Sequence, residues 1–257
     1  MSAVLELTEV TRSYGQGPTA VVALDRLNLT VRAGEFVAVM GPSGSGKSTL
    51  LGLAGGLDRP TGGTIAVTGV TLQGRSRDEL ARIRRRQLGF VFQDFNLVPT
   101  LTVLENIALP LELDGVGPKD AAAQAARALD RVGLTELSGR FLDQVSGGQR
   151  QRVAIARAIV GDRRIVLADE PTGALDTSTG DEIMALLRSL ADEGVAVVMV
   201  THEARHAGWA DRVVFLRDGR LVDETTADDA SSLLRRSNPA APRRVSDRDL
   251  PDPSRGA

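Results

Sequence analysis

The sequence predicts an α/β protein built on a mostly parallel sheet, and three observations support that fold class. Residues 36–40, 165–168 and 195–200 are short apolar runs, which suit strands buried on both faces. Residues 177–193 lie between the last two runs and carry apolar side chains at helical spacing. The order strand, helix, strand favours parallel strands with helices packed on the sheet.

The segments that flank these runs predict further strands. Residues 4–10 and 24–31 are strand-like, and residues 11–19 between them are rich in glycine and polar side chains, which predicts a loop. Asp218-Gly219 separates two short apolar runs and predicts a hairpin turn.

The middle of the chain, at about residues 96–162, is predicted to be a helical insert within the α/β core. Residues 114–118 are a helix breaker of glycines and a proline. Residues 149–160 carry apolar side chains at helical spacing. The same spacing recurs after the breaker at Ala122, Ala125, Ala126, Leu129 and Val132.

One domain is expected over residues 1–224, followed by an extension over residues 225–257. From about residue 237 the extension carries four prolines and mixed charges but few apolar side chains. Such a composition does not form a packed core, so a disordered tail is predicted.

The composition excludes several classes of function. The chain has 257 residues and no cysteine, which excludes disulfides, thiolate metal sites and a thiol nucleophile. Its net charge of -2 lacks the basic excess of a nucleic-acid binder, so no nucleic-acid partner is expected. The first ten residues do not have the pattern of a secretory signal, and no apolar run approaches the ~18–20 residues that cross a bilayer. A membrane role is therefore expected to come through a partner.

A glycine-rich segment follows the first apolar run and leads into a helix-like segment from Lys47. It reads Gly41-Pro42-Ser43-Gly44-Ser45-Gly46-Lys47-Ser48-Thr49 and contains the phosphate-binding loop pattern. Glycines let successive backbone N–H groups point at phosphate oxygens, and the helix adds its positive end. Lys47 supplies a full charge for the β- and γ-phosphates, and the Ser48 hydroxyl is the expected Mg²⁺ ligand.

Two carboxylates, Asp169 and Glu170, follow the apolar run at residues 165–168. Open α/β sheets bind ligands at the carboxyl ends of their strands. Asp169 is therefore expected to hold Mg²⁺ through water, and Glu170 to orient and deprotonate the attacking water. A solvated acidic pair is the alternative, which the phosphate loop in the same chain disfavours.

A second anion-binding helix start is predicted at Ser146-Gly147-Gly148-Gln149. Ser146 is a favourable N-cap, and the glycines after it leave amide N–H groups accessible. An ordinary helix start is the alternative for this segment taken by itself.

With this segment the chain resembles the ABC-type ATPases over about residues 4–224. Residues 145–158 resemble the family signature and its helix, with Val145 where leucine is common. Gly173-Ala174-Leu175-Asp176 resembles the loop that crosses between subunits, with Gly173 where serine is commoner. The resemblance implies a RecA-like P-loop NTPase core, an N-terminal antiparallel β region and an inserted helical subdomain.

The resemblance also implies roles for single residues. Tyr14 resembles the aromatic residue that stacks on adenine, and His202 the switch histidine that contacts the γ-phosphate. Gln93 resembles the glutamine that reaches Mg²⁺ and the attacking water. The implied catalytic residues are Lys47, Gln93, Glu170 and His202. The implied Mg²⁺ ligands are Ser48, Gln93 and Asp169, and Asp176 is an implied nucleotide contact.

The mechanism implied by the resemblance needs two copies placed head to tail. ATP bound at residues 41–49 of one copy is covered by residues 146–149 of the other. The chain is then the ATP-hydrolysing subunit of a transporter, held at the cytoplasmic face of the membrane by separate permease subunits. The stretch at residues 80–90 is locally basic. Together with residues 171–176, it resembles the sequences of the branch that includes lipoprotein-releasing and macrolide-exporting ATPases, which implies export or membrane extraction.

Three alternatives belong to other classes of protein. An ABC ATPase that acts on DNA or in translation is disfavoured, because this chain has no zinc cysteines, no long coiled coil and one cassette. A regulatory module that holds ATP without turnover is disfavoured by intact Lys47, Asp169, Glu170 and His202. An unrelated P-loop enzyme such as a kinase is disfavoured by the segment at residues 146–149.

Overall fold

The computed structural model describes residues 2–15 and 17–226. Its strands are β1 (Ala3–Tyr14), β2 (Val21–Arg32), β3 (Phe36–Met40), β4 (Gly62–Val67), β5 (Val70–Thr71), β6 (Leu88–Phe92), β7 (Ile165–Asp169), β8 (Ala196–Val200), β9 (Arg212–Arg217) and β10 (Arg220–Thr226). Its α-helices are α1 (Lys47–Ala54), α2 (Arg77–Gln87), α3 (Val103–Glu112), α4 (Pro118–Arg131), α5 (Gly147–Ile159), α6 (Thr177–Asp192) and α7 (Ala204–Ala207). The tail predicted from about residue 237 lies outside the described residues.

The strands form two sheets. The larger has the order β10-β9-β3-β8-β7-β6, and its strands are parallel except for the β9–β10 hairpin at one edge. The smaller has the order β2-β1-β4-β5 and is antiparallel throughout. The predicted hairpin turn is confirmed, because Asp218 and Gly219 both have the positive φ that a tight two-residue turn requires.

Each central strand of the larger sheet buries both faces, as its continuous apolar sequence predicts. In β3, Phe36 and Ala38 belong to a core that also contains the apolar faces of α3, α4, α5 and α6. Val37 and Val39 belong to a second core, with α1 and both strands of the β1–β2 pair. Because successive strand side chains point to opposite faces, one short strand ties the two cores together.

Helices α3, α4 and α5 lie in the chain between β6 and β7, where the sequence predicts a helical insert. Capping boxes fix the beginnings of two of them: Thr102 with Glu105 at α3, and Ser146 with Gln149 at α5. Within the described residues, no helix is long and apolar enough to cross a membrane.

Two details of the sequence interpretation are wrong. The loop predicted over residues 11–19 begins later, because Arg12, Ser13 and Tyr14 continue β1 and pair with β2. Ladder pairing uses the backbone, so these half-exposed residues need no apolar pattern to form a strand. Helix α4 buries a slightly different face from the one that the sequence predicts, since Ala126 is exposed and Ala128 is buried.

Candidate active site

Four neighbouring parallel strands end side by side at one edge of the larger sheet. Their pairing places one residue of each strand in a single row: Val39, Val200, Asp169 and Phe92. Within two residues of the row, each strand is followed by predicted site residues: the phosphate loop from Gly41, then His202, Glu170 and Gln93. Sheet register alone therefore brings together residues that lie far apart in the sequence.

The phosphate loop has the backbone of an anion cradle. Gly46, at the start of α1, has φ 108°, and a Cβ there would lie 2.3 Å from the carbonyl oxygen of Ala23. Only glycine fits such a position. Lys47 Nζ donates hydrogen bonds to the carbonyl oxygens of Gly41 at 2.7 Å and Pro42 at 2.9 Å. The lysine ammonium group is thus held over the loop. Its partners are neutral carbonyl oxygens, which charged phosphate oxygens can replace as stronger acceptors.

Asp169 and Ser48 meet at the base of the phosphate loop. Ser48 lies beside the Asp169 carboxylate and favours its ionised form, but burial outweighs this contribution. Burial raises the pKa of Asp169, because a partly desolvated carboxylate is costly to ionise. Two oxygen donors therefore lie together beside the loop, as the sequence predicts.

Glu170 and His202 form a pair at the mouth of the site. His202 Nδ1 lies 2.8 Å from Glu170 Oε1, and this hydrogen bond raises the pKa of His202. The Glu170 backbone has φ 46°, a left-handed conformation that is strained for a non-glycine residue. Its N–H donates to the carbonyl oxygen of Val200 at 3.0 Å, which ties the loop after β7 to the end of β8. The sheet thus holds the backbone of Glu170, and its side chain is only 23% exposed.

Gln93 lies over the loop that follows Glu170. A Cβ at Gly173 would lie 3.1 Å from Gln93 Cδ, so the two residues are in close contact. Gly173, a departure from the family pattern, leaves space that the glutamine side chain uses. Gln93 therefore lies next to the loop that follows β7 and Glu170, which is the position that its predicted role requires.

Tyr14 is held in place from two sides. The Arg12 guanidinium lies 4.4 Å from the centre of its ring, and the Tyr14 hydroxyl donates to Asp58 Oδ2 at 2.9 Å. Arg12 Nε also donates to Asp58, which completes a triangle of contacts. One ring face is thus taken by a cation, and the predicted stacking of adenine on Tyr14 stays a prediction.

A capping box fixes the start of α5. Ser146 Oγ accepts from the Gln149 N–H, and the Ser146 N–H donates to Gln149 Oε1. Ser146 and Gly147 are exposed, so the positive end of the helix faces solvent. A Cβ at Gly148 would lie 2.4 Å from Thr179 Cγ2, so α6 packs too closely for any larger residue.

Asp176 caps α6. Its carboxylate accepts hydrogen bonds from the Thr179 N–H at 3.0 Å and from the Ser178 and Thr179 hydroxyls, which lowers its pKa below the ordinary range. The structure gives Asp176 a structural role, and its predicted nucleotide contact stays a prediction.

Sequence reasoning missed the residues that anchor these loops. Gln151, buried on α5, donates to the carbonyl oxygen of Pro171, just after Glu170. Arg157 donates to the carbonyl oxygens of Phe95 and Asn96, just after Gln93. Both lie within the signature helix, but no spacing pattern distinguishes them from its other polar residues. They connect α5 to two loops of the site.

Comparisons with known proteins agree with this geometry. A family model described as ABC transporter matches residues 24–173. The ABC transporter ATP-binding protein YvrO of Bacillus subtilis is 48% identical over 88% of this chain and 98% of its own length. The macrolide export ATP-binding/permease protein MacB of an Azoarcus species is 46% identical over 85% of this chain, which spans 33% of MacB.

A solved structure matches as well. The dimeric post-hydrolysis state of the ATP-binding cassette MJ0796, bound to ADP and Pi, has a TM-score of 0.79 and 43% identity over 87% of this chain and 98% of that chain. MJ0796 comes from Methanocaldococcus jannaschii. The chain therefore belongs to the ABC transporter family and is an ATP-binding ATPase of that family. The predicted fold class and ATPase activity are confirmed.

Proposed function

We propose that this chain hydrolyses ATP in a head-to-tail dimer and thereby drives separate permease subunits for export or membrane extraction. The single observation that carries the proposal is the row of strand ends. It places a lysine-bearing phosphate loop, a carboxylate pair, a histidine and a glutamine along one sheet edge. Phosphoryl transfer needs little beyond such positioning and charge stabilisation.

The hydrolytic step uses Glu170 as the base. A water attacks the γ-phosphorus in line with the departing ADP oxygen, Glu170 takes the proton of that water, and ADP and phosphate result. Lys47 stabilises charge on the β- and γ-phosphates. His202, hydrogen-bonded to Glu170, orients the carboxylate and contacts the γ-phosphate. Gln93 holds the water from the other side.

The same edge fits Mg²⁺. Ser48, Asp169 and Gln93 offer only oxygen donors, which magnesium prefers. Among the described residues, no group of three His, Cys, Asp or Glu side chains could hold a metal alone, so phosphate and water oxygens must complete the set. When bound, the ion would neutralise negative charge on the phosphates.

The exposed start of α5 supports the head-to-tail dimer. Its capped, solvent-facing helix end offers free N–H groups and a positive dipole end to an anion. The relative MJ0796 has been solved as a dimer. Covering ATP with residues 146–149 of the second copy neutralises the γ-phosphate from the opposite side and excludes water.

A groove between α2, β6 and α3 is the proposed docking site for the permease. Its apolar lining includes Leu57, Phe90 and Leu113, of which Leu57 and Leu113 are exposed. Four arginines also line it. Arg85 pairs with Asp114, and the hydrogen bonds of the other three go to backbone carbonyl oxygens: Arg84, Arg157 and Arg163. Burial lowers the pKa of Arg163 to about 10, so it stays charged at neutral pH. The groove therefore suits an amphipathic helix that carries an acidic side chain.

The direction of transport and the location are inferred from relatives. MacB and the pyoverdine export ATP-binding/permease protein PvdT of Pseudomonas syringae are named as exporters. YvrO matches almost end to end, which supports an ATP-binding chain that works with a separate permease. The chain would then sit at the cytoplasmic face of the membrane through that permease.

Glu170→Gln tests the hydrolytic proposal. The variant should bind ATP and accumulate as an ATP-bound dimer, while kcat falls by about 10²–10⁴-fold because the base is lost. Glu182→Gln, the same change at an exposed position on α6, is the matched control and should keep wild-type turnover. Near-normal hydrolysis by purified Glu170→Gln would exclude Glu170 as the base.

Leu113→Asp tests the docking groove. The variant places a carboxylate in the groove and should reduce binding to membranes that contain the permease, while ATPase activity of the free chain is unchanged. Val222→Asp, at an exposed position on β10, is the control and should bind as the wild type does. Equal binding by both variants would place the permease elsewhere.

A further inference from the structure

His206 is a buried titratable side chain that the hydrolytic step does not use. It lies on α7, four residues after His202, and is only 2% exposed. Its Nδ1 lies 3.0 Å from the hydroxyl oxygen of Thr172, which is also buried. Thr172 lies two residues after Glu170, so this contact joins the loop after β7 to the loop after β8.

The surroundings of the ring fix its tautomer. Arg205 Nε and Nη2 lie 3.1 and 3.0 Å from His206 Nε2. A guanidinium can only donate, so Nε2 must accept and the proton of the neutral ring resides on Nδ1. Nδ1–H therefore donates to Thr172 Oγ1. Burial lowers the pKa of His206, which favours this neutral form.

Neighbouring elements enclose the contact closely. A Cβ on Gly180 of α6 would lie 3.5 Å from Arg205 Nη2 and 3.6 Å from Thr172 Cβ. Arg205 Nη2 also approaches Asp181 of α6 at 3.6 Å, and Glu203 lies 3.6 Å from His206 Nδ1. The three elements α6, α7 and the loop after β7 thus pack around one internal hydrogen bond.

The buried contact joins the same two loops as the Glu170–His202 pair, in which Glu170 is 23% exposed and His202 is the exposed member. The outer pair is weak as a positioning device, because His202 is 64% exposed and competes with water. The Thr172–His206 hydrogen bond is shielded from water and joins the same two loops. It is therefore the stronger constraint on where the strained Glu170 backbone sits relative to His202.

We propose that His206 is a positioning residue for ATP hydrolysis, acting through Thr172 to hold Glu170 and His202 in register. The inference rests on the proposed role of Glu170 as the base. It assigns His206 no contact with ATP. Loss of the hydrogen bond should then slow the chemical step and leave nucleotide binding unchanged, since the phosphate loop belongs to a different strand end.

The decisive experiment compares the ATPase kinetics of Thr172→Val with those of Thr172→Ser. Valine keeps the shape of threonine but loses the hydroxyl, whereas serine keeps the hydroxyl. We expect kcat to fall about tenfold in Thr172→Val with KM for ATP unchanged, because small displacements of a catalytic group are costly. Thr172→Ser should retain most of the activity. A merely structural role would lower the melting temperature without this split between kcat and KM.

His206→Leu provides an independent route if Thr172→Val does not fold. It should reproduce the loss of kcat, and His206→Asn, which keeps an amide donor near Nδ1, should recover part of it. The double variant Thr172→Val/His206→Leu should be no slower than either single variant, because one interaction has been removed twice. Additive losses, or equal activity in the valine and serine variants, would overturn the inference.

Glu170→Gln measured in parallel separates this inference from the proposed function. If Glu170→Gln is inactive and Thr172→Val has wild-type kcat, only the positioning role of His206 fails. If Glu170→Gln turns over normally, the proposed base fails and the inference fails with it.

Discussion

The sheet edge and the start of α5 are the two proposed phosphate-binding regions, and they are built in different ways. At the sheet edge, register between four parallel strands aligns the phosphate loop with Asp169 and Glu170 within one chain. At the start of α5, a capping box holds a helix end that faces solvent. The first region carries the residues for chemistry, and the second carries only N–H groups and a helix dipole.

This difference explains why one chain contains half of each proposed site. In the proposed mechanism the sheet edge supplies charge and the base Glu170, and the γ-phosphate is covered from the other side by a second copy. The exposed start of α5 is the surface that we propose covers it. Gln151 and Arg157 of α5 also anchor the loops after Glu170 and Gln93, so contacts made at the start of α5 in the proposed dimer would reach both loops through one helix.

The largest expected effect comes from the sheet edge. Lys47→Gln removes the cation that stabilises charge on the β- and γ-phosphates, and kcat should fall by about 10²–10³-fold. The folded state should be little affected, since the lysine bonds only to carbonyl oxygens of its own loop. Steady-state ATPase assays and thermal melts check the two statements. Unchanged kcat would place the phosphates elsewhere.

An intermediate effect is expected at the start of α5. Ser146→Asp and Ser146→Asn both preserve the N-cap, so the two variants should have similar stability. Asp also places a negative charge opposite the γ-phosphate of the partner site, and it should lower kcat by about 10- to 100-fold through like-charge repulsion. Asn should stay within a few-fold of the wild type. Equal activity would show that this helix end does not face phosphate.

The smallest effect concerns the pH dependence of stability. Burial lowers the pKa of His206 in the folded chain, so below about pH 6.5 the unfolded chain binds protons more readily and stability is lost as pH falls. His206→Asn removes this contribution, and its free energy of unfolding should change less between neutral and acidic pH. If the free energies of unfolding of the wild type and His206→Asn changed in parallel with pH, a neutral, buried His206 would be contradicted.

Much of the sheet edge was predictable because its signals are local. Apolar runs that lead into Gly41, Asp169 or His202 identify buried strands together with the site residues at their ends, and parallel strands end at the same edge. Strands β4 and β5 were not predicted, because their short segments carry few apolar side chains and are defined by pairing with β1.

The supporting contacts could not be predicted from the sequence. The Thr172–His206 hydrogen bond joins residues that are 34 apart, and the Gln151–Pro171 hydrogen bond joins residues that are 20 apart. Neither pair is marked by a sequence motif. The Gln151–Pro171 contact depends on how α5 packs against the sheet, and the Thr172–His206 contact depends on how α7 does. The Asp176 cap shows a further limit, since a residue matched to a family motif also has a local structural use.

Mixing two impaired variants, Lys47→Gln and Ser146→Asp, tests the head-to-tail assembly most directly. Lys47→Gln disables the phosphate loop of its own chain, and Ser146→Asp disables the helix end that it offers to its partner. A mixed dimer then keeps one intact composite site, formed by the phosphate loop of the Ser146→Asp chain and the helix end of the Lys47→Gln chain. Equal mixing should restore about a quarter of wild-type ATPase activity for independent sites in a two-fold dimer. A mixture as inactive as either variant alone would contradict the shared site.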